Sequence, residues 1–234
     1  MKLFVRWMFF KDLIPHFAKH YVNFDIYTIV NGYDCEPGML ETLEEYNFNI
    51  LNLTYKYETV RDNVRKLRRY IRKLVKPKEW FMVADPDEFH EFPAPIYTII
   101  EDCEKRKRTC HKGKFVDRFA KDGSIPPIKP DLPLSEQFPI QGDISKIISF
   151  GHNDKKLVLI RGPQFRSPHW HPNSTSHFPI KVHHYKWTDN SISRLKLRAE
   201  RYKRRKFRWW QYSQEILDYL EKHKRFPIKE LQND

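Results

Sequence analysis

The 234-residue sequence has no run approaching the ~18–20 apolar residues that a membrane-spanning helix requires. It has only three cysteines, Cys35, Cys103 and Cys110. An odd number without zinc-type spacing excludes a complete disulfide framework and predicts reduced thiols in an intracellular, cytoplasmic protein. Met1 to Phe10 is apolar but carries Lys2 and Arg6 and is too short for a signal segment, so it reads as a first strand. No internal repeat, low-complexity tract or clean linker divides the chain. Acidic residues are in deficit, 30 against 43 lysines and arginines, for a net charge of +13. That balance predicts an anionic partner: a nucleic acid, a membrane surface or a phosphate-bearing substrate. Hydrophobic residues at 40% and aromatics at 15% supply a core and exclude a disordered chain.

The first half alternates between strand and helix signals. Leu3-Phe4-Val5 is a short apolar run, and Leu13, Ile14, Phe17 and Tyr21 follow at helical spacing. Ile26 to Val30 is β-branched and aromatic and stops at Asn31-Gly32, a turn signal. Met39 to Tyr46 reads as helix and Phe48 to Leu53 as strand. Glu58 to Val75 is a long basic helix with Val60, Val64, Leu67, Ile71 and Leu74 in one stripe, and Phe81 to Ala84 is the fourth strand. Such repeats predict a parallel sheet covered by helices, with ligands beyond the C-terminal strand ends. Asn31 to Asp34 and Asp85 to Glu88 then share one rim. Pro95 to Lys107 is expected as helix. The proline-rich stretch from Lys112 to Phe150 is expected mostly as loop with short strands. Leu157 to Ile160 and Ile180 to Tyr185 read as strands, and two helices follow from Ser191 and from Trp209.

The most telling stretch is Trp80 to Phe89, where an apolar strand ends in Asp85, Asp87 and Glu88. Carboxylates so close repel one another and are costly to bury unpaired. A divalent cation makes them favourable, because hard oxygen ligands suit Mg²⁺ or Mn²⁺.

This stretch resembles the Asp-x-Asp-Glu-Phe motif of glycosyltransferases with a GT-A fold, in the family 2-like group of bacteria and large algal viruses. Further segments fall in the expected order. Asp12 to Tyr21 is similar to the group's first helix, without the usual preceding Asn-Glu pair. Lys114 to Gly123, Ser135 to Pro139, His183 to Trp187 and the basic helix with Arg194, Arg198 and Arg201 follow. The likeness covers roughly residues 3 to 205.

The resemblance implies a GT-A-like (Rossmann-like) α/β fold, with a mixed, mainly parallel sheet flanked by helices and a C-terminal helical segment. A catalytic domain over 1–190 and packed helices over 191–234 are expected. It implies transfer of a sugar from a nucleotide diphosphate sugar, UDP- or GDP-type, to a hydroxyl of a glycan or glycoconjugate. A bound Mn²⁺ or Mg²⁺ would neutralise the leaving diphosphate. Asp87 is expected as the direct metal ligand, Asp85 on the ribose or a metal-bound water, and His184 as a second ligand. His183 and His184 face opposite ways on a strand, so only one of them points at the site. Asn31, Tyr33 and Asp34 would read base and ribose, and Arg65 on the long basic helix would reach the diphosphate. Inversion at the anomeric carbon requires a carboxylate base, for which Asp117 and Glu136 are the two candidates. Glu136 is expected to be partly buried beside Phe138. Arg161 to His177 is expected as a loop over the donor.

Two other readings compete. Ser193 to Arg208 carries nine basic residues against Glu200, with Trp209 and Trp210 beyond, which fits a packed helix or a peripheral membrane contact. High basicity with an acidic cluster also fits a nucleic-acid-binding protein or a metal-dependent nuclease. No RNA-recognition or helix-turn-helix signature is present, so no nucleic acid is expected as partner.

Overall fold

The computed structural model describes residues 1–56, 58–148, 155–163, 165, 169, 171 and 173–232, with Asp34 and Val60 described by backbone only. The chain packs as two compact units interleaved in sequence. The first holds Met1–Lys114 and Lys155–Val182, and the second holds Phe115–Asp154 and His183–Asp234. The last helices therefore group with Phe115–Asp154.

The first unit opens with β1 (Lys2–Trp7), α1 (Ile14–His20), β2 (Asp25–Asn31), α2 (Met39–Glu45), β3 (Asn49–Thr54) and α3 (Val60–Leu74). It continues with β4 (Trp80–Ala84), β5 (Glu88–Glu91), α4 (Ile96–Lys105) and the start of β6 (Cys110–Phe119). The second unit receives the end of β6, then α5 (Leu134–Gln137) and β7 (Ile140–Gly142). The chain returns to the first unit with β8 (Lys155–Arg161), β9 (Ser174–Thr175) and the start of β10 (Lys181–His184). The second unit ends with α6 (Ser191–Arg204), α7 (Trp210–His223) and α8 (Ile228–Gln232).

The strand order is β3-β2-β1-β4-β8-β6-β10-β5. The first four strands run parallel, and β8 then reverses direction against β4. This is a mixed α/β fold with a parallel sheet core, compatible with a Rossmann-like arrangement. Alternation along β1 puts Phe4 and Trp7 on opposite faces. Phe4 joins Leu67 and Ile71 of α3 in one buried cluster with Phe81 and Val83. Trp7 meets Phe17 of α1 edge-on at 5.3 Å and Phe48 at 5.6 Å. One helix thus covers each face, which is why β1 and β4 read as continuous apolar runs rather than alternating ones.

The α3 helix starts where its sequence says it should. Thr59 accepts from the Asp62 amide while Asp62 accepts from the Thr59 amide, a reciprocal cap worth ~1 kcal/mol.

The second unit is built around stacked aromatics. Phe119 and Trp187 lie parallel at 6.1 Å, and Phe226 meets both edge-on. Leu195 of α6, with Ile216 and Leu220 of α7, closes the same cluster. Gly123, at φ +76°, turns the chain after β6, and a β-carbon there would come within 2.3 Å of the Phe226 carbonyl. Only glycine fits that approach.

The expectation that 112–150 is mostly loop fails over its first part. Cys110–Phe119 is a ten-residue strand. Its polar side chains hide the strand pattern. The strand exists because it pairs with β8 along its first half and with β7 along its second.

Candidate functional site

Parallel pairing brings the C-terminal ends of β1, β2 and β4 to one rim. Val5 lies opposite Ala84 and Trp7 opposite Val30, so Arg6 and Asp85 are neighbours and Asn31 lies one step beyond. β8 runs the other way, with Phe81 opposite Ile160 and Met82 opposite Leu159. Continuing that register by three residues sets Lys156 opposite Asp85. The reversal therefore delivers the beginning of β8 to the rim where β4 ends.

The acids form a closed turn. The Glu88 amide donates to the Asp85 carbonyl at 3.0 Å, with Pro86 in the second position and Asp87 in the third. Proline presets the backbone angle such a turn needs. The Glu88 carboxylate also reaches back to accept from the Asp85 amide at 2.9 Å. Asp87 and Glu88 are buried, while Asp85 is 36% exposed at its side chain.

Lys156 is fully buried between two of these acids. Its Nζ donates to Asp85 Oδ2 at 2.5 Å and to Glu88 Oε1. Arg6 lies 3.9 Å from Asp85 Oδ1. Burial alone would raise the Asp85 carboxyl, but the charges of Lys156 and Arg6 outweigh it and hold it well below the usual carboxylate range. Burial works the other way on Glu88. With Asp85 and Asp87 beside it, Glu88 is pushed up to about 7 against the pull of Lys156. Burial would lower Lys156, yet Asp85 and Glu88 keep its ammonium above the ordinary lysine value.

A second polar network backs the turn. Tyr21, just after α1, donates to the Glu88 carbonyl at 3.0 Å and lies 2.7 Å from His90 Nδ1, while the His90 amide donates to Tyr21 Oη. Burial is the main cause that raises the Tyr21 phenol well above its usual value, so it stays a neutral donor.

The second unit holds its own pair. Asp117 on β6 is buried. One carboxylate oxygen meets His184 Nδ1 at 2.9 Å, and the other accepts from the Ile144 amide at 3.1 Å. An imidazole held through Nδ1 by a carboxylate has its ring oriented and its further chemistry directed to Nε2. Phe115 packs against the same ring at 5.2 Å. Asp117 therefore orients His184, and the two residues assigned separate roles from sequence form one unit. Arg118 pairs elsewhere, donating to the Phe138 carbonyl at 3.0 Å.

Other expected site residues fare differently. Glu136 is exposed on α5, so the burial expected from its neighbour Phe138 is absent. Phe138 turns into the core and leaves the carboxylate in water. Arg65 is exposed and lies 4.0 Å from Asp62 on its own helix. Asn31 is fully buried and accepts from the Tyr33 amide at 3.2 Å, capping the 3-10 turn Gly32–Asp34. Its Nδ2 is buried without a partner. Tyr33 presents an exposed ring beside it, and the Asp34 side chain is outside the description. Within the loop expected over Arg161 to His177, Arg161 ends β8 and Ser174–Thr175 forms β9, while 164, 166–168, 170 and 172 lie outside the described residues.

Sequence reasoning missed Lys156, Arg6 and Tyr21. A lysine just before an apolar strand ordinarily reads as a solvated flank. Only the antiparallel register separates Lys156 from its exposed neighbour Lys155.

The donor set as folded does not fit the expected Mn²⁺ or Mg²⁺. Asp85 and Glu88 are committed to Lys156, and among the described residues no group of three or more His, Cys, Asp and Glu is arranged to hold a metal ion. No helix among the described residues is long and apolar enough to cross a membrane. No protein-family model matches the chain, and no curated protein matches it.

Proposed function

We propose that the protein is a glycosyltransferase that moves a hexosyl or deoxyhexosyl group from a nucleotide diphosphate sugar to a hydroxyl of a glycan or glycoconjugate. One observation carries this reading. The Asp85–Glu88 turn closes the fourth of four parallel strands ordered β3-β2-β1-β4, on the rim that also presents Asn31 and Tyr33. In open sheets of this kind the ligand lies beyond the C-terminal strand ends.

In this reading, the exposed Tyr33 ring stacks on the base, and the buried Asn31 amide fixes the turn that carries it. Asp85, with an exposed carboxylate edge, accepts from the ribose. Lys156 and Arg6 lower the negative charge that the diphosphate meets. The second unit holds a pair of the kind that an inverting transfer needs, with Asp117 orienting the His184 ring and able to stabilise an imidazolium there. Glu136, in water, has no such orienting partner in this scheme.

The nucleic-acid reading rests on the net charge of +13 and on the acidic cluster, whose Asp85 and Glu88 are held by Lys156. The test is a thermal-shift panel of nucleoside diphosphates and nucleotide sugars, with duplex DNA and short RNA as controls. A rise in melting temperature with one nucleotide series supports the transferase reading and identifies the base. No rise with any nucleotide, together with a rise with nucleic acid, overturns it.

A further inference from the structure

The acidic turn contains its own cation. Of the four carboxylate oxygens on Asp85 and Glu88, three accept hydrogen bonds from the chain. Asp85 Oδ2 and Glu88 Oε1 take the Lys156 ammonium, and Glu88 Oε2 takes the Asp85 amide. The fourth, Asp85 Oδ1, faces Arg6. Asp85, Asp87 and Glu88 would together carry a formal −3, and counting Lys156 and Arg6 reduces it to −1. Mn²⁺ and Mg²⁺ draw affinity from anionic oxygens that are open to them. Here the oxygens are engaged and most of the charge is cancelled.

The position of Lys156 comes from the architecture. β8 is the first antiparallel strand after the parallel set, and its register sets residue 156 against residue 85. The side chain is wholly enclosed, so it cannot touch a ligand and acts only through the acids it holds.

We infer that Lys156 is the resident cation of this turn, its ammonium standing between Asp85 and Glu88 where a divalent metal would otherwise stand, so that a nucleotide diphosphate binds here without one. The nucleotide half rests on the proposed function; the metal half does not. Lys156 is accordingly a positioning residue whose removal should create a metal site.

The experiment titrates Mn²⁺ into the full chain, following free Mn²⁺ by electron paramagnetic resonance, for wild type, Asp85→Asn, Lys156→Ala and the double variant. Circular dichroism checks each fold. Wild type is expected to bind no stoichiometric Mn²⁺. Lys156→Ala should bind one Mn²⁺ at least about tenfold more tightly than wild type, and Asp85→Asn should abolish that gain. One Mn²⁺ per wild-type chain that Asp85→Asn removes would overturn the inference. So would a folded Lys156→Ala variant that binds no better than wild type. If Lys156→Ala does not fold, the wild-type and Asp85→Asn arms decide alone, with thermal shift by nucleoside diphosphate in EDTA as second readout. A shift that survives EDTA supports the inference, and one that requires Mn²⁺ sinks it. Nucleotides that never shift the melting temperature defeat the transferase reading, while the Mn²⁺ arms still decide the role of Lys156.

Discussion

Lys156 and His111 are both basic, both fully buried and both on central strands of the first unit, yet they are held in opposite charge states. Lys156 has two carboxylates on its ammonium and stays charged. His111 accepts from the Phe178 amide through Nε2 at 3.1 Å, and burial pushes its imidazole down to about 4, so it stays neutral. Burial opposes charge at both positions. The difference lies in what the neighbouring strand offers. The end of β4 presents acids to Lys156, whereas β8 presents Leu159 opposite His111. A buried base is thus charged or neutral according to register.

The contrast should break most severely at Lys156. Lys156→Met keeps the volume but strands Asp85 and Glu88 without their cation. Removing one partner of a buried ion pair typically costs ~3–5 kcal/mol, to be read by equilibrium urea denaturation. A loss below ~1 kcal/mol would mean that the pair behaves like a surface bridge.

The next largest effect should come from pH at His111. Above pH 6.5 the imidazole is neutral in both folded and unfolded chains and contributes no slope. Between 6.5 and about 4 the unfolded chain binds a proton that the folded chain refuses, so stability falls as pH falls. The full loss is on the order of 3 kcal/mol, completed near the folded value. His111→Gln should flatten this part of the stability profile. An unchanged slope would mean that other groups produce it.

The smallest of the three changes is Asp117→Asn. It should cost about 1–3 kcal/mol by weakening the hold on His184 and the Ile144 amide. Under the proposed function it should also cut kcat while leaving nucleotide-induced thermal shifts intact. Unchanged turnover would remove Asp117 and His184 from the chemistry.

The first unit was largely legible in the sequence. The apolar runs at Leu3, Ile26, Phe48 and Phe81 became β1 to β4, and the stripe from Val60 to Leu74 became α3. Local pattern suffices there because each strand is sandwiched between helices and each helix has one apolar face. β6 was not legible, since Cys110–Phe119 is held by pairing partners distant in sequence. The short β5 was missed for a related reason, because Glu88–Glu91 carries three polar side chains in four residues. The acidic turn could be read from its three carboxylates. Its cation could not, because Lys156 meets Asp85 only through the reversal at β8. Asp117 and His184 were each picked out, but in separate roles. Their contact spans 67 positions of chain, and no spacing rule reaches that far.

The turn at Asp85–Glu88 is already closed by its own hydrogen bonds before anything binds. Under the proposed function, a ligand arriving there meets a turn that needs no reorganisation of its own. Capture is then paced by how often an anion reaches the rim. A chain with a net charge of +13 draws anions from a distance, and dissolved salt weakens that reach. Under the proposed function, ionic strength therefore acts chiefly through the frequency of encounters, and much less through how long the bound state lasts.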